Sequence, residues 1–229
     1  MLPWALLGEA STPDGGHMTL TRRGREFMIM VDGKDLMSSQ MSGSEEALVT
    51  IGCEQVGKLE APQVLIGGLG MGFTLRSAVA TLPPGARIVV SELMPCVVEW
   101  NRGPLGHLAG HPLEDRRVHV EVGDVAHLLR ASPGRFDAIL MDVDNGPTAF
   151  TQKANEGLYG NDGLMTARAA LRPGGTYAVW SAWDDRKFEH RLRYHGFEVE
   201  THRVRGRLQK GGPRHTIFVG RLGRSSKDD

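Results

Sequence analysis

The stretch Gln63-Val64-Leu65-Ile66-Gly67-Gly68-Leu69-Gly70-Met71-Gly72-Phe73 constrains this chain more than any other. A short apolar run, rich in β-branched residues, breaks into glycines and continues as Thr74-Leu75-Arg76-Ser77-Ala78-Val79, which reads as strand, tight turn and helix. The glycines allow a sharp bend, close approach of a ligand to the main chain, and close packing of helix on strand. Such a turn also occurs at ordinary strand-to-helix bends, so its weight comes from the residues downstream of it. About 24 residues on, at the end of a second candidate strand over 86–92, stands Glu92, where nucleotide-binding folds read a ribose hydroxyl pair.

Composition sets the frame for this motif. The chain has 229 residues, 40% hydrophobic and 24% charged, with formal net charge +0. That is room for one full-core domain with a small appendage, and it gives no overall pull toward nucleic acid or membrane. The opening Met1-Leu2-Pro3-Trp4-Ala5-Leu6-Leu7 is apolar, but it lacks a basic start and is too short for a signal peptide. A cytoplasmic protein without a membrane partner is expected. Cys53 and Cys96 lack the spacing of a zinc or redox motif and read as buried thiols. His107, His111, His119 and His127 lack metal-site spacing as well, so no metal is expected.

Residues 17–31 alternate as a β-hairpin, Asp32-Gly33 supplies a turn, and Ser42-Gly43-Ser44-Glu45-Glu46 looks like a helix start with Ser42 or Ser44 as cap and acids in the first turn. Residues 1–60 are therefore taken as a small β-rich cap, and 61–229 as a Rossmann-like catalytic domain. From Gln63 onward strands alternate with helices, at 63–67, 86–92, 117–122, 136–142 and 175–181, which implies a mainly parallel sheet covered on both faces. Two last strands, 197–201 and 215–219, are joined by a connection too short for a crossover helix, so that pair is expected to be antiparallel. The expected fold is α/β, seven-stranded with an antiparallel final pair, the layout of class I S-adenosylmethionine-dependent methyltransferases.

In an open parallel sheet the ligand binds outside the carboxyl ends of the strands. Four successive predicted strands end there in glycines or acids: the glycine turn, Glu92, Gly123-Asp124-Val125, and Asp142-Val143-Asp144-Asn145-Gly146-Pro147. In this reading Gly67, Gly68, Gly70 and Gly72 cradle the nucleoside, and Glu92 takes both ribose hydroxyls. Asp124 accepts from the adenine amine while the Val125 amide meets the ring. The carboxylates Asp142 and Asp144 face the cationic sulfonium. Asp144-Asn145-Gly146-Pro147 also suits a plain turn.

Residues about 27–182 resemble the spermidine synthase family, the polyamine aminopropyltransferases. The resemblance runs through Phe27-Met28-Ile29-Met30-Val31-Asp32-Gly33, Val64-Leu65-Ile66-Gly67-Gly68, Glu92, Gly123-Asp124, Phe136-Asp137-Ala138-Ile139-Leu140-Met141-Asp142 and Leu171-Arg172-Pro173-Gly174-Gly175. Departures accompany it. The family's aspartate in the glycine turn, which attends the amine of decarboxylated S-adenosylmethionine, is replaced by Gly70. A glutamine after the Asp-Gly turn is replaced by Leu36, with Gln40 near enough to substitute. The second acid of the catalytic loop falls on Asn145, and a late diamine-holding segment gives way to the basic 205–214 loop.

Because these losses fall on the amine contacts and spare the adenosine contacts, the sequence favours S-adenosylmethionine-dependent methyl transfer to a small amine-bearing or aromatic acceptor. Aminopropyl transfer from decarboxylated S-adenosylmethionine is the alternative. Asp142, Asp144 and Asn145 are the expected catalytic residues, as base, amine partner and acceptor-orienting group. Gln40, Tyr159 and Trp183 are expected against the acceptor, under a roof made by the N-terminal region and the loop Trp180-Ser181-Ala182-Trp183-Asp184-Asp185, whose two tryptophans and two acids offer cation–π and charge contacts; Trp180 also suits plain core packing. His215 reads as a core or strand-end residue, with a place near the site as the alternative, and the 205–214 basic cluster as a solvated hairpin rather than a nucleic-acid foot. The remaining alternatives are an RNA-binding or noncatalytic methyltransferase-like module. The resemblance also implies a homodimer.

Overall fold

Strands with an apolar residue at nearly every position must be covered on both faces, and the central strands here are of that kind. In the computed structural model, which describes residues 2–143, 157–207 and 212–223, β5 (Gln63–Gly67), β6 (Arg87–Glu92), β7 (Val118–Val122), β8 (Phe136–Met141) and β9 (Leu171–Ser181) run parallel. The sheet is completed by β10 (Glu198–Arg205) and β11 (Arg214–Arg221), antiparallel to each other, with β11 antiparallel to β9. Its order, β10-β11-β9-β8-β5-β6-β7, reverses direction of travel between β8 and β5. The crevice at that switch point is where such a sheet holds ligands.

Helices cover both faces because each carries an apolar stripe. On one side lie α1 (Gly43–Gly52), α2 (Phe73–Thr81) and α3 (Pro95–Arg102), burying Leu48, Val49, Leu75, Ala78, Val97 and Val98 against Val64, Ile66, Ile88 and Leu140. On the other lie α4 (Val125–Arg130), α5 (Asn161–Ala170) and α6 (Arg186–Tyr194), packing Leu129, Leu164, Phe188 and Leu192 on Leu65, Ile139 and Phe218. Each fully buried Leu or Phe contributes about 2 kcal/mol, and truncating Leu140 to alanine costs about 2–5 kcal/mol. Caps fix the helix starts. Asp124 accepts from the Ala126 amide at 2.8 Å, Asp185 accepts from the Lys187 and Phe188 amides at 2.9 Å, and Pro95 sits in the first turn of α3.

The N-terminal region forms a separate four-stranded antiparallel sheet, β1 (Ala5–Ser11), β2 (His17–Arg23), β3 (Glu26–Val31) and β4 (Lys34–Ser38). The expected hairpin is β2–β3, and Asp32 and Gly33, both at positive φ, make the tight turn into β4. The next helix belongs to the main sheet by its packing. Helix α1 lies against α2, β8, β9 and β11, so close that a Cβ on Gly52 would stand 2.6 Å from Leu140 Cδ2. The expected cap at Ser42 is present in position, but its hydroxyl bonds the Glu46 carboxylate instead of a helix amide. Cys53 is buried as expected, whereas Cys96 is half-exposed because it falls on the outer side of the first turn of α3. Among the described residues no helix is long and apolar enough to cross a membrane.

Candidate functional site

A cavity of about 740 Å³ opens at the carboxyl ends of β5, β6, β7 and β8, beneath the N-terminal sheet. Gly68, Gly70, Glu92, Asp124, Val125 and Asp142 line it together, so the four strand ends do converge. At Gly68 the chain can carry no side chain. Its φ is +90°, and a Cβ there would lie 2.2 Å from the Asp142 backbone oxygen. Gly70 is held from behind, its carbonyl accepting from Asn101 Nδ2 at 2.8 Å. Gly67 and Gly72 are absent from the cavity wall: a Cβ on Gly67 would meet Met141 and Val125, and Gly72 caps α2. They shape the turn and leave the cradle to the other two.

The acids hold the loop as well as facing the cavity. Glu92 is buried, its Oε2 accepting from the Leu69 amide and its Oε1 from the Met94 amide, both at 2.8 Å. Burial pushes its carboxyl up, and the backbone donors work against that shift. Each oxygen keeps a second lone pair, which leaves capacity for a ligand hydroxyl. Asp142 follows β8, its amide donating to the Gly67 carbonyl at 2.8 Å and its carboxylate accepting from the Thr74 hydroxyl. Burial pushes Asp142 up to about 6, with the Thr74 bond opposing.

A further carboxylate lies in this cavity that the sequence marked only as a first-turn helix acid. Glu45, in the first turn of α1, is buried and lines the wall, and its carboxyl is pushed up to about 8, first by burial and then by the charge of Asp142. The Ser44 hydroxyl donates to Glu45 Oε2 at 2.9 Å, and His215 Nδ1 sits 2.8 Å from that hydroxyl. His215 stands edge-on to the Trp180 ring, with centroids 4.7 Å apart, and both side chains line the cavity. The Gly43 amide donates to the Gly206 carbonyl at 3.0 Å, tying the start of α1 to the β10–β11 hairpin. The remaining wall is rich in sulfur, with Met18, Met28, Met37, Met41 and Met94, and carries two further charged residues, Asp35 and Arg130.

Several expected contacts fall elsewhere. Tyr159 is buried in the core, edge-on to Phe188 at 5.7 Å, and is absent from the wall. Gln40 is exposed in the turn before α1, and the neighbouring Met41 lines the cavity in its place. Trp183 is 47% exposed and off the wall, which Trp180 and Ala182 supply. Asp184 is taken by Arg203 and Asp185 by its capping bonds, so the acids beside Trp183 serve the scaffold. Asp144, Asn145 and the centre of the basic loop at 208–211 lie outside the described residues. His215 is buried at the start of β11, as read, and there it also stands on the cavity wall. A signal for Glu45 did exist. Consecutive acids on a helix point about 100° apart, so one of Glu45 and Glu46 can turn inward while the other faces out. Glu46 takes the outer role, paired with Arg76 at 2.5 Å.

Comparison with known proteins accords with this architecture. The polyamine aminopropyltransferase of Mycobacterium tuberculosis (strain CDC 1551 / Oshkosh) is 30% identical over 167 residues, covering 71% of this chain and 30% of that protein. Polyamine aminopropyltransferase 2 of Streptomyces coelicolor is 30% identical over 201 residues, covering 83% and 34%. The chain thus spans about a third of the length of these curated relatives. Spermidine synthase from Thermotoga maritima shares the fold, with a TM-score of 0.75 at 16% identity over 96% of this chain and 74% of that one. A probable spermidine synthase from Corynebacterium glutamicum does so at 0.63 and 16%, over 95% and 79%. The spermine/spermidine synthase domain model matches residues 41–191, from just before α1 into α6, and by that match the chain belongs to the spermine/spermidine synthase family.

Proposed function

We propose that this protein is an aminopropyltransferase that uses decarboxylated S-adenosylmethionine and an amine acceptor. The observation that carries the reading is the pair of buried carboxylates, Glu45 and Asp142, in the cavity beside the glycine turn. With Glu45 raised to about 8 and Asp142 to about 6, the pair holds one proton and one negative charge near neutral pH. At an effective dielectric of about 20, unit charges about 4–8 Å apart interact by about 2–4 kcal/mol. Such a site repels the α-carboxylate of S-adenosylmethionine and attracts the ammonium groups of an aminopropyl chain and an amine. The names of the curated relatives support the same chemistry.

The residues present fit the nucleoside. Gly68 and Gly70 leave room at the main chain, Glu92 has acceptor capacity for ribose hydroxyls, and Asp124 keeps one oxygen outside its capping bond for an adenine amine. When bound, the cofactor supplies an activated carbon next to a sulfonium. Asp142 and Glu45 orient the acceptor nitrogen toward that carbon and hold the charge around it, and the methionine wall excludes water.

Methyl transfer is the second reading, favoured by Gly70 and by Met37, whose Cε would lie 2.5 Å from a Cβ at that position and so fills the space a side chain would take. Calorimetry on the purified protein separates the two. The decarboxylated cofactor is expected to bind at least about tenfold more tightly, and the preference to vanish in the Glu45→Gln/Asp142→Asn double variant, which carries no charge at the pair. Tighter binding of the carboxylated form, with methyl appearing on amine acceptors, would overturn the proposal.

A further inference from the structure

The amino ends of the central strands lie at the opposite edge of the sheet from the glycine turn, and there a second concave site of about 620 Å³ opens. We propose that it binds a linear polyphosphate group, free or carried by a nucleotide, and holds it through the phosphates alone. The site is independent of the aminopropyl-transfer reading, whose residues stand at the other ends of the same strands.

The charged side chains that line it are Arg87, Arg116, Arg117 and Arg135, with the imidazole of His119 beside them, and among the described residues no carboxylate joins them. In a chain of formal net charge +0 this is a local concentration and not a product of composition. Strand order produces it. Arg87 opens β6, Arg116 and Arg117 lead into β7, and Arg135 leads into β8. With β8, β5, β6 and β7 side by side at about 4.8 Å per step, the basic row extends over about 14 Å. A single tetrahedral anion is too short for that row, whereas a linear polyphosphate can follow it, and a guanidinium offers phosphate oxygens paired N–H donors.

The acids nearby are already committed. Asp115 accepts from Arg117 Nε at 2.9 Å and Nη2 at 2.8 Å, and the other Arg117 donors go to the carbonyls of Val79, Leu82 and Pro83, so Arg117 serves the scaffold. Asp137 accepts from Arg172 and from the Gln63 amide, both at 2.7 Å, and Glu121 lies 3.1 Å from His119. Arg87 and Arg116 are exposed, and among the described residues their side chains have no hydrogen bond or ion pair. Arg135 is held in place over the Phe136 ring, 5.0 Å from its centroid, and bonds the Ser132 hydroxyl at 3.2 Å, which leaves most of its donors available. Gly85 also lines the site, where a Cβ would stand 2.5 Å from the Glu60 carbonyl oxygen. No Phe, Tyr or Trp is found among the described lining residues, so a base has no platform to stack on and only the phosphates are read.

Calorimetry on the full chain with sodium tripolyphosphate, at about 0.1 M salt so that distant charges are screened, tests the site. The wild type is expected to bind one equivalent. Arg87→Gln/Arg116→Gln, at two exposed positions, should bind at least about tenfold more weakly with an unchanged thermal melt. Arg205→Gln/Arg207→Gln, in the basic cluster of the β10–β11 hairpin, should stay within about twofold of the wild type. Orthophosphate should bind at least about tenfold more weakly than tripolyphosphate, and magnesium-free ATP within about threefold of it. In amide NMR of the wild type, tripolyphosphate should shift Gly85, Arg87 and Val118 and leave Gly68 and Gly70 in place. No binding at millimolar tripolyphosphate, full binding in the Arg87/Arg116 variant, loss in the hairpin variant, or shifts centred on Gly68 would overturn the proposal. So would equal affinity for orthophosphate, which would reduce the row to a single-anion contact. ATP binding far more tightly than tripolyphosphate would require a base contact, and single-stranded RNA doing so would make the row part of a nucleic-acid surface; either result would overturn recognition through the phosphates alone.

Discussion

The end of this cavity proposed for the nucleoside and the end proposed for the acceptor are built on different plans. At the nucleoside end each group sits where a parallel strand stops, and each carries a second, local duty: Glu92 holds the Leu69 and Met94 amides, Asp124 caps α4, and Gly68 lets Asp142 pass. At the acceptor end, Glu45 begins a helix, Asp142 ends a strand, and His215 lies in the last strand, with the cavity their common ground. A strand-end site tolerates change poorly, because altering it disturbs the turn that carries it. An assembled site separates binding from chemistry, because its members can be altered while the nucleoside cradle stands.

Asp142→Asn probes that separation with the largest expected effect. It removes a carboxylate at the reacting centre while an amide still accepts from Thr74. Turnover is expected to fall about 10²–10⁴-fold with nucleoside affinity within about threefold, read by steady-state kinetics and calorimetry. A matching loss of affinity would mean that the two ends are one unit.

Stability against pH gives the next largest effect. Glu45 is raised from 4.5 to about 8 on folding, so the folded state binds its proton more tightly than the unfolded chain does. The contribution is whole below about pH 4.5 and is lost as pH rises through about 8, so the ligand-free protein should weaken across that window by up to about 5 kcal/mol. Denaturant melts of wild type and Glu45→Gln check this, and the variant should show a flatter profile. Glu92→Gln is the smallest and falls on the other end. It keeps one acceptor oxygen but loses the charge, and both cofactor forms should bind about tenfold more weakly, to the same degree, by calorimetry. A loss confined to one form would place Glu92 outside the ribose contact.

This contrast also decided how much of the molecule was legible in its sequence. Strand, glycine turn and acid are neighbours along the chain, so the parallel sheet, its antiparallel final pair and the converging Gly68, Glu92, Asp124 and Asp142 came from local patterns. The acceptor end offered no such adjacency. Glu45 is a first-turn helix acid and His215 a strand-end histidine, as read, and only tertiary packing brings both to one serine. Tyr159 and Trp183 failed for the opposite reason. Aromatic residues near a catalytic segment carry no mark that separates a cavity wall from a core, and burial against Phe188 claimed the one while solvent claimed the other. Strands β1 and β4 escaped because their mixed, largely exposed residues lack a clean alternation.

The bond between Ser44 and His215 spans 171 positions of the chain. During synthesis the glycine turn and the acids of β6, β7 and β8 have all left the ribosome well before β11 exists, so a nascent chain can assemble its nucleoside cradle early. The acceptor end must wait for one of the last strands to thread against β9 and meet the start of α1. On the proposed reading, catalytic competence is timed to the completion of the sheet, and an unfinished chain can hold a nucleoside before it can spend one.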